Sequence, residues 1–354
     1  MTVRMAAVEG RRSVPWATLV IWLALTIAIV VAARRLPWDR TLSLLTSVNI
    51  AWVAAAIAAH VLILPLWALE WKILAPASAR VPLTRMWDVV TISAAVLNTI
   101  PFLAGEAAAV AMLIERAGLT RGAAASVLAM DQLLVAFAKL MVIASAAFVA
   151  PLPPWLQTGV VSLSIAFVML FATMMLLAHF WADGRERLLR VSGQARHVTA
   201  RLVAWGIHLE PLRDPQRALA VMGLASAKKA AELAAIIAVQ VAFGMNPSVA
   251  SALLVLAALA ITTLLPIAPA NLGVYEGTVY GTYRVLGVTP EIALGLAIVQ
   301  HLCFLLPPIV IGYGMLTWRE LAPRSSATWL GRTRLRVPRP RQANRTSPPP
   351  DVTL

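Results

Sequence analysis

The sequence predicts an all-α, polytopic helical membrane protein built from two inverted repeats, each containing a broken, re-entrant helical hairpin. Three observations lead there. The 354-residue chain is 60% hydrophobic and only 13% charged, with a mean hydropathy of +0.79, whereas soluble domains carry about 25% charged residues. Several apolar runs reach the ~20 residues that a helix needs to cross a bilayer. Two stretches also read as copies of one another. One runs from Pro101 to Glu106 and on through Gly118 to Gln132, the other from Pro266 to Glu276 and on through Gly287 to His301. Each has an apolar segment interrupted by Pro and Gly, a Glu in the interruption, a short helix, a Gly-[Leu/Val]-Thr turn and a long apolar helix with polar residues. Gapless alignment pairs Gly118 with Gly287, Asp131 with Gln300 and Gln132 with His301. Paired broken helices in two halves of a membrane protein point to a transport site.

The apolar runs lie near 14–33, 49–74, 86–103, 121–150, 157–181, 217–243, 248–267 and 288–317. The first has no small-residue cleavage site before Arg34-Arg35 and is long for a signal-peptide core, so it is expected to stay as an anchor. Arginines cluster in the N-terminus (residues 1–13), in the loop at about 182–216 and in the tail from 321 to 354. The positive-inside rule puts all three, and hence both chain termini, in the cytoplasm. The uncharged connections at 151–155 and 244–248 suit the opposite side. The 34–48 loop, with Arg34, Arg35 and Arg40, is the exception. The transmembrane domain then spans 14–320, and the Pro-, Arg- and Ser-rich tail is expected to be disordered and to lie on anionic inner-leaflet lipids.

This orientation requires segment 86–117 to begin and end inside, and segment 248–287 to begin and end outside. Both are therefore read as hairpins entering from opposite faces, giving six full spans plus two hairpins; the alternative is eight ordinary spans. The helix breaks are Pro101, Gly105, Pro266, Pro269 and Gly273, because Pro removes a backbone donor and clashes with the preceding turn. Irregular backbone at membrane depth is tolerated only in protein or beside a wet cavity.

Ionisable groups within a bilayer are costly and invite a functional reading. Glu106 and Glu276 follow the two breaks. They either cap short helices or face one cavity as cation, proton or partner sites. Asp131, Gln132 and Lys139 would form a polar stripe on one long helix, and Gln300 and His301 sit on the other; the plainer alternative is hydrogen-bonding glue between helices. Lys228, Lys229 and Glu232 are spaced for a self-neutralised cluster, with i,i+4 and i,i+3 pairs. Asn271 completes the expected pathway. His60 reads as structural, and Glu70 and Lys72 as interfacial. The single cysteine, Cys303, precludes an internal disulfide. The +14 charge follows topology rather than nucleic-acid binding. No nucleophile elbow, zinc motif or phosphate loop occurs, so neither an enzyme, a metal site nor a cofactor is expected.

The motifs Pro101-x-x-x-Gly105-Glu106 and Leu265-Pro-Ile-Ala-Pro-Ala-Asn-Leu-Gly-Val-Tyr-Glu276, with a last helix ending in Pro and Gly, resemble the lysylphosphatidylglycerol synthase transmembrane region. This flippase-like family is also called uncharacterised protein family 0104, and the similarity covers most of 14–317. It implies an inner-membrane protein tied to lipid synthesis or to moving lipid between leaflets. In bifunctional members this region flips an aminoacylated lipid made by a separate soluble domain. No such domain is seen in this sequence, so lipid aminoacylation is not expected and any lipid-synthesis enzyme would be a separate partner. The chain departs from the family where arginines are usual: Ala107 to Val110 are apolar, Asp131-Gln132 replaces Glu-Arg, and His301 stands near another family arginine. Pro269-Ala-Asn271 replaces Pro-Gly-Gly. A different or less acidic head group fits these changes. The leading expectation is a lipid translocase. The alternatives are a proton-coupled transporter of a small polar solute, and an accessory subunit or enzyme of glycolipid or polyprenyl-lipid assembly.

Overall fold

The computed structural model describes residues 36–100, 104–149, 214–263 and 269–321, with a few isolated positions besides. The expected runs at 14–33 and 157–181, most of the arginine loop, the tail, Pro101 and Pro266 lie outside the described residues. Every regular element among those described is helical.

Helix α1 (Trp38–Leu45) follows Pro37. It occupies part of what the sequence presents as a plain loop. Thr41 is buried there, and Arg40 pairs with Glu291 at 3.4 Å, so one of the arginines at odds with the positive-inside rule has a carboxylate beside it. Helix α2 (Ile50–Leu74) starts on the Asn49 side chain, which accepts the Ala51 N–H, and it contains Pro65. Helices α3 (Leu83–Thr99) and α4 (Ala104–Glu115) flank the first break, and α5 (Arg121–Val149) completes the first repeat. Helix α6 (Pro215–Ala242) is opened by an Asp214 cap with Pro215 at its first position, where a missing N–H costs nothing. Helix α7 (Val249–Thr262), a 3₁₀ turn at Pro269–Asn271, α8 (Val274–Val285) and α9 (Pro290–Leu321) form the second repeat.

Among the described residues α2, α5 and α9 are long and apolar enough to cross a membrane. Half of α9's apolar stretch is buried within the protein, against 17% for α2, so α9 is central and α2 peripheral. Helix α6, at 28 residues, is about 42 Å long by its rise, although Lys228, Lys229 and Glu232 interrupt its apolar character. The flanking pairs are short. Helices α3 and α4 have 17 and 12 residues, and α7 and α8 have 14 and 12, or roughly 18–25 Å each against ~30 Å of hydrocarbon. In each pair the two helices pack on one another. These lengths fit hairpins that enter and leave on one face. At the first break a Cβ on Gly105 would sit 3.1 Å from the Leu97 Cα, so glycine lets the two arms close.

The paired glycines behave alike. Gly118 has φ +72° and Gly287 φ +82°, the left-handed region that glycine enters without steric cost. After each, the next amide reaches back to the preceding helix: Leu119 N–H to the Leu113 carbonyl, and Val288 N–H to that of Tyr283. The repeats interlock. Helix α5 packs on α7, the 269–271 turn packs on α3, and α9 crosses α3 so closely that a Cβ at Gly312 would overlap the Thr91 carbonyl oxygen. Two apolar cores result. One joins α3 and α4 to the C-terminal part of α2 and the N-terminal parts of α5 and α6. The other joins α7, α8 and α9 to the opposite ends of those three helices. The space between the cores falls at mid-length of α2, α5 and α6. Pro65 lies inside α2, and Pro307 and Pro308 inside α9.

Candidate functional site

A cavity of about 310 Å³ occupies that space. Its polar lining comes from both repeats: His60 on α2, Asn98 on α3, Lys139 on α5, Lys229 and Glu232 on α6, Thr263 after α7, Asn271 in the 3₁₀ turn and Tyr275 on α8. Lys229 Nζ lies 2.7 Å from both Glu232 oxygens, which neutralises that pair. Lys139 has no carboxylate beside it; its Nζ donates to Thr263 Oγ1 at 3.4 Å. Two ammoniums thus face one carboxylate, and the cavity carries one positive charge in excess. The Asn271 Oδ1 is buried without a hydrogen-bond partner. A lysine and an open carbonyl oxygen at the middle of a helical membrane bundle require water or a polar ligand.

Of the residues that the sequence points to, Lys139, Lys229, Glu232 and Asn271 line this cavity. Glu106 and Glu276 do not share it. Glu276 Oε2 accepts the Gly273 N–H at 2.7 Å and its Oε1 meets His301 Nδ1 at 2.8 Å, so it caps α8 while joining a second contact. Gly273 supports this cap with φ +82°. Glu106 sits in the first turn of α4 with Oε2 buried and unbonded. Gln300 donates to the Tyr275 hydroxyl at 3.1 Å, and His301 stacks on the Tyr275 ring at 4.2 Å. These two residues form a layer behind Tyr275 rather than the cavity wall.

The expected stripe of Asp131, Gln132 and Lys139 does not form. Asp131 is fully buried, and its Oδ1 accepts both indole N–H groups of Trp67 and Trp71, at 2.7 and 2.8 Å. Gln132 is exposed and only reaches back to Asp131; its repeat partner His301 is buried. Lys139, two turns on, is the one of the three that lines the cavity. The self-neutralised cluster also divides. Lys229 keeps Glu232, but Lys228 turns to Glu70 at 2.9 Å, with Asp131 at 3.9 Å. Consecutive residues on a helix point about 100° apart, so Lys228 and Lys229 cannot serve one site. Glu70 is 0% exposed, not interfacial, because α2 packs along α6 and the pair encloses it. His60 is both structural and lining: its Nδ1 bonds the Ala56 carbonyl and its ring borders the cavity.

Asn98, Thr263 and Tyr275 were missing from the expected pathway. The sequence carries a weak signal for each: Asn98 and Thr263 are polar residues at the ends of the apolar arms, beside the breaks, and Tyr275 precedes the motif's Glu276. Among the described residues no cluster of His, Cys, Asp or Glu could hold a metal ion.

No curated protein matches this chain. A match to the lysylphosphatidylglycerol synthase transmembrane region covers residues 16–312, and so takes in both repeats and every residue of the cavity. A helical membrane protein with a polar cavity between its two apolar cores, matched over most of its length, this chain belongs to the family of lysylphosphatidylglycerol synthase transmembrane regions.

Proposed function

We propose that the protein is an inner-membrane lipid translocase in which a polar head group crosses through the central cavity while its acyl chains remain in the bilayer. The observation that carries this reading is the cavity's excess ammonium, Lys139, set at mid-depth where the two repeats meet. A head group with an anionic oxygen would supply the missing charge, and the Asn271 carbonyl oxygen would accept from a hydroxyl or amine on the same group. Lys229 and Glu232 could separate to bind opposite ends of a zwitterion. The test is reconstitution into vesicles with fluorescent lipids of differing head groups. Lys139→Met should cut lipid movement at least tenfold at unchanged expression. Normal flipping by this variant would end the lipid reading.

One observation favours a second reading. The cavity volume suits a small polar solute held whole. A proton-coupled solute transporter would show solute uptake driven by a pH gradient and no lipid movement in the same vesicles.

A further inference from the structure

We infer that His301 and Glu276 form a proton-binding site, filled by one proton as an imidazolium–carboxylate pair, whose occupancy holds the Pro269–Asn271 turn against α9. His301 Nε2 lies 2.9 Å from the Ala270 carbonyl oxygen, and Nδ1 lies 2.8 Å from Glu276 Oε1. A carbonyl oxygen only accepts, so Nε2 must carry a hydrogen. A neutral imidazole has one N–H, so Nδ1 would then be a bare lone pair facing a carboxylate oxygen. The contact is attractive only when the pair holds one additional proton. That proton belongs on the ring, because Glu276 Oε2 already accepts the Gly273 amide at 2.7 Å, which favours the ionised carboxylate. His301 is 2% exposed, so its ring nitrogens depend on these two partners.

The surroundings support a site that fills and empties. Tyr275 of α8 stacks on the ring, with interplanar angle 9°. Cys303 lies on α9, and His60 of α2 stands beyond Phe304. Across the cavity wall are Lys139 of α5 and the Lys229–Glu232 pair of α6. Helix α7 and the 3₁₀ turn contain no ionisable residue, and among the described residues Glu276 is the carboxylate bonded to the ring.

Loss of the proton leaves one N–H for two acceptors. Either the Ala270 or the Glu276 contact must then open. The turn is poised for this: Ala270 has φ +54°, an unfavourable region for alanine, and the His301 bond to its carbonyl helps to hold it there. Asn271 lines the cavity, so emptying the proton site frees one wall of the proposed pathway. That consequence rests on the translocase reading; the proton site itself does not.

The test is ring nitrogen-15 NMR of the full chain in nanodiscs, with only histidine labelled. The His301 signals are assigned by their loss in His301→Gln or through the stacked Tyr275 ring. Both His301 nitrogens should be protonated at pH 6 and one should be bare at alkaline pH. Glu276→Gln should lower the midpoint by at least one pH unit, a tenfold loss of proton affinity. A single neutral tautomer from pH 5 to 8 in the unaltered protein overturns the inference, as does a midpoint unmoved by Glu276→Gln. No lipid movement enters the measurement, so its failure leaves the translocase reading to its own assay.

Discussion

Lys228 stands between two buried carboxylates, and truncating it exposes an asymmetry. Its Nζ is 2.9 Å from Glu70 and 3.9 Å from Asp131, with the Trp67 ring 5.5 Å away. Removing the single cation leaves two buried carboxyl groups without a counter-charge, so that one must take up a proton or stay an unpaired anion, a loss of about 3–5 kcal/mol. Glu70→Gln is milder, about 1–3 kcal/mol, because Lys228 retains Asp131 and the indoles still bond that carboxylate. Thermal unfolding in detergent should therefore place Lys228→Met well below Glu70→Gln; the reverse order would mean that Lys228 is not the charge that holds this cluster. The sequence makes Lys228 conspicuous but not its partner. Residues 70 and 228 are far apart in the chain, and i,i+4 spacing suggests Glu232 instead. Only the packing of α2 on α6 brings Glu70 forward. Lys139 and Asn271 are different, since an isolated lysine on an apolar helix and an Asn in a Pro-rich break have few bland roles.

Helices α3 and α9 cross where Gly312 meets the Thr91 carbonyl and the Ala95 methyl group. Gly312→Ala forces the two helices apart and should cost about 1–3 kcal/mol through overpacking. Gly314, two residues farther along, has nothing within 4 Å of its would-be Cβ. Gly314→Ala should be neutral or stabilising by up to about 1 kcal/mol, as alanine is the better helix former. Comparing the two unfolding midpoints tests the crossing, and equal effects would remove it. Long apolar periodic segments made the helices legible, with ends within a few residues of those observed. The short α1 was not, because its eight residues show no sustained period and its arginines read as a topological signal. The breaks were legible from Pro and Gly. Which side chains they would aim at the cavity was not, because the rotation of α4 and α8 depends on tertiary packing.

The described helices include two three-helix repeats sharing one polar space, and the arginines of the sequence predict an orientation with both termini in the cytoplasm. Labelling of Ser325→Cys in a Cys303→Ala background should occur only from the cytoplasmic face; labelling from outside would invert every loop. The repeats were readable in the sequence because both copies keep the same grammar of break, acid and left-handed glycine. Their divergence was equally informative. Gln132 and His301 occupy aligned positions, yet one is exposed and the other bridges Glu276 and the turn. The first copy's long helix gives Asp131 to the charge cluster, and the second copy's gives His301 to the proton site.

The prolines inside α2 and α9 add a mechanical consequence. Each ring removes the amide that would bond four residues back, so the carbonyls of Val61, Cys303 and Phe304 have no helical donor. Val61 adjoins His60, and Phe304 itself borders the cavity. The peripheral and the central helix are thus already short of backbone bonds at the level of the cavity, and each can flex there like a jointed rod without breaking a further rung.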